Sequence, residues 1–172
     1  MRSLFLALLA SVVSTSCVPA QRGASTASTL PRWEQHDREV YDDNIDPAAV
    51  GLSLEGPSAY ADKFLRERAQ TAEVVGYMRV DTVTVESVGD AKRFRLGVRV
   101  ATPTLGKSKV EERDFELEVS AGNPLLGAGF EQRVRGKKFI GFIHRYADDM
   151  GESTVHFHLS ADTPEVARAV QE

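Results

Sequence analysis

The chain has 172 residues, with 25 Asp and Glu against 21 Lys and Arg, four His and a single Cys. That length suits one domain, or one domain with a tail. The balance of 42% hydrophobic and 27% charged residues excludes global disorder, a collagen-like fibre and a multi-span membrane protein. One Cys cannot form an internal disulfide, and a net charge of -4 is too mild to name nucleic acid as a partner.

The chain opens on Met1-Arg2-Ser3, a short basic start, followed by an apolar run from Leu4 to Val13 and the small polar residues Ser14, Thr15 and Ser16 before Cys17. Basic start, apolar run and small-residue zone are the layout of a secretory signal peptide. The run is shorter than the roughly 20 apolar residues of a membrane-spanning helix, so residues 1–16 are set aside from the fold. Ser16 and Cys17 resemble the end of a bacterial lipobox. Thr15 stands where that pattern has Ala or Ser, and Ser14 where it has Leu. The resemblance implies that Cys17 becomes a lipid-bearing N-terminus. Residue 18 is Val and not Asp, which implies sorting to the outer membrane. Cleavage after Ala20, with Val18 and Ala20 as the small residues, is the other reading and would discard Cys17.

Residues 17–31 are small and polar, as in a tether. Residues 32–57 form an acidic segment, expected to be irregular with a short helix; Trp33, Val40, Tyr41 and Ile45 give it something to pack. Ser58 to Ala72 reads as a helix, started by Pro57 and Ser58, with Tyr60, Phe64, Leu65, Ala69 and Ala72 as its apolar stripe. The period then drops to two. From Glu73 to Ser87 the apolar residues fall first on even positions (Val74, Met78, Val80) and then on odd ones (Val83, Val85). Such a parity switch predicts a bulge near Asp81-Thr82.

Arg93 to Ala101 alternates Phe94, Leu96, Val98 and Val100 with Arg93, Arg95 and Arg99. Arg113 to Ser120 alternates Phe115, Leu117 and Val119 with Asp114, Glu116 and Glu118. Opposite charges on two outward faces predict antiparallel neighbours, with the connection from Thr102 to Glu112 as the hairpin loop. Ala121 to Phe130 reads as a loop. Lys137 to Tyr146 is apolar on both faces, as a central strand is, and Asp148 to Gly151 is a turn. Ser153 to Leu159 alternates again, and Thr163-Pro164-Glu165 starts a short last helix. The expected fold is mainly β (α+β): a small antiparallel β-barrel or sandwich over 58–172, with one helix before it and a short helix at its end.

The pieces Ala72-Glu73-Val74-Val75, Arg79-Val80, Val83, Phe94 to Val100, Phe115 to Val119 and Gly136 to Ile143 resemble a pattern of netrin-like or OB-like small barrels. The match covers under half of the chain and rests on apolar spacing. The cysteines of eukaryotic netrin-like domains are missing, and a shared fold would not by itself give a function.

Three groups carry possible chemistry. His156 and His158 lie two apart on an alternating strand and project from its polar face, and the turn at Asp148 to Gly151 brings His144 opposite His156. Three imidazoles in one patch suit zinc; the plain reading is a solvated strand face. Asp42-x-Asn44-x-Asp46 starts like a calcium loop and then fails, with Pro47 where Gly is needed and Ser53 where the bidentate Glu belongs. Basic residues gather at Lys92, Arg93, Arg95, Arg99, Lys107, Lys109 and Arg113, and again at Arg133, Arg135, Lys137, Lys138 and Arg145. Of these, Arg93, Arg95, Arg99, Lys137 and Lys138 are the candidate anion-binding face. Pairing with Asp114, Glu116 and Glu118 is the alternative. Base-stacking aromatics interleaved with cations are not evident, so no nucleic acid is expected. No nucleophile elbow, zinc-protease helix, phosphate loop or dinucleotide fingerprint occurs. The expectation is a lipid-anchored, extracytoplasmic and non-enzymatic binding module without a cofactor. Its partner is an envelope protein or an anionic surface polymer. The rival is a metal-binding protein or metal-dependent enzyme using His144, His156 and His158.

Overall fold

The computed structural model describes residues 29–52, 59, 61–101, 105–106, 108–109 and 111–172. Cys17 with its leader, most of the tether, Pro57, Ser58, Tyr60, Pro103 and Lys107 lie outside the described residues.

The elements in chain order are α1 (Gln35–Val40), β1 (Asn44–Ile45), a 3-10 turn (Pro47–Val50), α2 (Leu65–Thr71), β2 (Val74–Val88), β3 (Ala91–Val100), β4 (Asp114–Val119), α3 (Phe130–Val134), β5 (Lys138–Ala147), β6 (Ser153–Ala161) and α4 (Pro164–Gln171). The strands form one curled sheet, a half-barrel, in the order β1-β6-β5-β2-β3-β4. One sheet curled on itself replaces the sandwich alternative. The sheet is mixed, because β1 runs parallel to β6 while the other pairings are antiparallel.

The alternating strands behave as their patterns require. β2 carries one extra residue against β3: the register steps from Val80↔Val98 to Thr82↔Gly97, which leaves Asp81 as the bulge. The bulge moves the buried set from Val74, Met78 and Val80 to Val83 and keeps it on the concave side. β3 and β4 pair with Arg95 opposite Glu118 and Arg99 opposite Asp114. β5 is central, held between β2 and β6. Thr163 caps α4 by accepting the Val166 N–H.

Three features differ from the sequence expectation. Helix α2 begins at Leu65, not near Ser58, because Asp62 takes the Phe64 N–H on its own side chain and turns the chain there. Arg68, which is not part of the expected apolar stripe, is 3% exposed; its guanidinium donates to the Val40 carbonyl and pairs with Asp62. The loop after β4 ends in α3, whose Phe130 and Val134 plug the barrel interior.

Both faces of the sheet are covered. The concave face holds the inner core, with Met78, Leu96, Leu117, Phe139, Ile143, Phe157 and Leu159. The convex face of β5 and the start of β2 carry an outer layer: Val75, Ile140, Phe142 and Tyr146 under Val40 and Tyr41, Leu65 and Ala72 of the α2 region, and Val166 of α4.

Candidate functional site

The curl brings the two ends of the sheet together at one residue. Asp43 donates its N–H to the Phe157 carbonyl of β6 at 2.9 Å, and its own carbonyl accepts the N–H of Ser120, just past β4, at 2.8 Å. Its backbone lies at φ 53°, in the left-handed region that Asp and Asn tolerate better than most residues. The side chain is equally engaged. One carboxylate oxygen lies 2.8 Å from His156 Nδ1, and the other accepts the Phe157 N–H at 3.1 Å. Next to it, Asp42 lies 2.7 Å from Nδ1 of His158. Two carboxylate–imidazole pairs thus tie the segment after α1 to β6.

Burial pushes the Asp43 carboxyl above the ordinary range, and the contact with His156 only partly offsets it. For Asp42 burial works in the same direction, but the hydrogen bond and charge of His158 outweigh it, and the carboxyl ends below the ordinary range. Burial also pushes the Tyr41 hydroxyl up to about 12.

Trp33 stacks on His156 with ring centroids 3.4 Å apart and an angle of 21° between the rings, and the Arg38 guanidinium sits 4.8 Å from the indole centroid. The Trp33 indole N–H is buried without a hydrogen-bond partner among the described residues. His156 Nε2 lies 3.1 Å from the Thr154 hydroxyl, and that hydroxyl also reaches the Tyr146 carbonyl at 3.2 Å. Asp43, His156 and Thr154 therefore form a row like that of an acid–base–nucleophile relay. A carbonyl can only accept, so in the Tyr146 contact the Thr154 proton points away from the imidazole. The row is closed on itself, which suits a structural clamp better than an activated nucleophile.

Below Asp43 the ends of β4 and β6 diverge and open a cleft of about 740 Å³. Trp33, Asp43, Thr154, Val155 and His156 form one wall. Glu116, Glu118 and Val119 form the other, and Val88, Ala91, Lys92, Arg93 and Arg95 close it from the hairpin between β2 and β3.

The structure splits the predicted sites. His144 does stand opposite His156, and all three imidazoles share the convex side. That face is not solvated, however: His156 and His158 are each 8% exposed under the N-terminal segment. Each ring has its own partner, His144 Nδ1 lying 2.8 Å from the Arg145 carbonyl. No group of three His, Cys, Asp or Glu side chains among the described residues is placed to hold a metal ion. Asp42 and Asp46 of the failed calcium loop have separate partners: Asp42 faces His158, and Asp46 caps the 3-10 turn through the Ala48 N–H. Of the candidate anion-binding residues, Arg93 and Arg95 reach the cleft, where they pair with Glu118 at 3.0 Å and Glu116 at 3.2 Å. Arg99 lies away from it, paired with Asp114 at 2.8 Å. Lys138 faces Arg79 across the sheet, and Lys137 and Lys138 are exposed.

Sequence reasoning missed Asp43, Trp33 and Thr154 as parts of a site. The only local signal was an Asp in an acidic run, a residue type at home in left-handed backbone. Comparison with known proteins adds nothing to the geometry: no family model, no curated protein and no solved structure matches the chain.

Proposed function

We propose that this protein is a lipid-anchored envelope module that binds and does not catalyse, with the seam cleft as its binding site. The observation that carries the reading is the cleft itself, where a stacked Trp33–His156 pair meets Lys92, Arg93 and Arg95 beside the seam between β4 and β6. Around the curl the strands run β6-β5-β2-β3-β4, a Greek-key order like that of OB-type barrels. Such barrels bind chain-like ligands on the face of their second and third strands, between the loops that flank it. Here those strands are β3 and β4, and the cleft lies beside them. The leader ending in Cys17 supports the envelope address. The ligand belongs to the same extracytoplasmic space, as an envelope protein or an anionic surface polymer.

Two measurements test this. Growth with a clickable fatty acid labels the wild type and not Cys17→Ser; an unlabelled wild type removes the anchor from the proposal. A photo-crosslinking side chain at Lys92, in the cleft, gives adducts in whole envelopes that the same group at Lys138 does not. Equal adducts at both positions, or none at Lys92, removes the cleft.

A further inference from the structure

The cleft lies between two strand edges that have hydrogen-bonding groups to spare. Every pairing from β6 through β5, β2 and β3 to β4 is antiparallel, so β6 and β4 run in the same direction on the two sides of the seam. At Asp43 the seam is one strand wide, because the backbone of that single residue bonds to both sides. Phe157 and Leu159 turn their carbonyls toward the seam, where Asp43 and Asp46 donate to them. Successive residues of a strand alternate, so Val155 turns its N–H and carbonyl the same way. On β4, Val100 donates to the Arg113 carbonyl, which turns the odd positions toward β3; Ser120, on an even position, donates into the seam. Glu116 and Glu118 share its parity. Among the described residues nothing pairs with the backbone groups that Val155, Glu116 and Glu118 aim at the cleft.

The side chains set what fits between these edges. Val119 and Val155 belong to or pack against the inner core, so the inward side is apolar. On the outward side both arginines are already met by acids, Arg93 by Glu118 and Arg95 by Glu116 and Glu86. A polyanion would have to displace those pairs. An extended peptide would instead satisfy the backbone groups and lay alternate apolar residues over Val119 and Val155.

Resting on the reading of the cleft as the binding site, we propose that its occupant is an extended peptide segment of a partner protein. It is added as a strand between β4 and β6 and completes the barrel below Asp43. The segment alternates apolar and polar residues, and Asp43 with His156 marks where it stops.

The test is a display library of short random peptides selected on the full chain, followed by an N-methyl scan of a selected peptide. Strand addition predicts that selected peptides alternate apolar and polar residues and that N-methylation weakens binding about tenfold at every second residue only. It also predicts that amide exchange at Val155, Glu116 and Glu118 slows on binding. N-methyl effects without a period of two, or unchanged exchange at those amides, overturns strand addition. A library that yields no binder while Lys92 crosslinks to envelope glycan also overturns it and leaves the cleft as a binding site. Absence of Lys92 adducts sinks both readings. Self-association of the chain that protects the same three amides overturns the partner and makes a second copy the occupant.

Discussion

Asp43 is the one non-glycine residue with a positive φ among the described residues, and its conformation is held by contacts on all sides. Replacing it with Ala leaves the buried His156 Nδ1 and Phe157 N–H without their acceptor and keeps the unfavourable backbone. We expect a loss of about 3 kcal/mol for Asp43→Ala and about 1 kcal/mol for Asp43→Asn, which keeps an acceptor and tolerates the left-handed region. Urea titration of the two variants checks the order; equal losses would mean that the carboxamide does not replace the contacts. Asp42 and Asp43 also predict opposite pH effects. Asp42 lies below its ordinary value of 3.8 when folded, so its stabilisation is complete above 3.8 and fades as the pH falls through the folded value. Asp43 lies above 3.8 when folded, so its contribution is fullest below 3.8 and fades as the pH rises through the folded value. In urea midpoints measured from about pH 3 to 6, the wild-type advantage over Asp42→Asn therefore shrinks toward acid. The advantage over Asp43→Asn shrinks in the other direction. Parallel curves for the two variants would contradict both directions. Little of this was legible in the sequence. Asp42, Asn44 and Asp46 read as a failed calcium loop because side chains 113 to 116 positions away, on β6, decide what the two aspartates do.

At the scale of elements, what could be read was what is periodic or local. The bulge at Asp81 follows from a parity switch within one strand, and the β3–β4 pairing from opposite charges on two neighbouring strands. β1 was illegible: two residues carry no period, and its parallel partner lies more than a hundred positions on. Close packing between strands was also hidden. A Cβ placed on Gly141 of β5 would lie 2.2 Å from the sulfur of Met78, so the Met78 side chain crosses the inner core over a position with no side chain. Gly141→Ala is expected to cost about 2 kcal/mol through overpacking. Combining it with Met78→Ala removes the clash, so the double variant is less destabilised than the sum of the two single ones, by about 1 kcal/mol. Chemical denaturation of the four proteins measures the coupling. Additive losses would show that Met78 moves aside without strain.

For the whole molecule, the decisive property is that one sheet carries two apolar layers built from different parts of the chain. The inner core is made mostly by the strands and α3. The outer layer is assembled from residues near Trp33 to Tyr41, the α2 region and α4. The sequence shows each amphipathic piece but not that all three share the convex face, since no single segment records its partners. The arrangement predicts layered stability. Removing residues 163–172 takes away Val166, which is 4% exposed, and the flanking Ala167, Ala169 and Val170 that pack against the outer layer. Losing that burial costs about 3 kcal/mol, a fraction of the roughly 5–15 kcal/mol of a typical domain. The loss falls on the layer that α4 helps to cover. Trp33 is the only tryptophan in the chain and packs against that layer, so its fluorescence reports on it, while circular dichroism reports mainly on the sheet. In the truncated chain the fluorescence transition should come at lower urea than the circular dichroism transition. Amides of Leu96, Val98 and Leu117 should stay protected while those of α1 and α2 exchange faster. A single coincident transition at reduced urea would show instead that the two faces of the sheet melt as one unit.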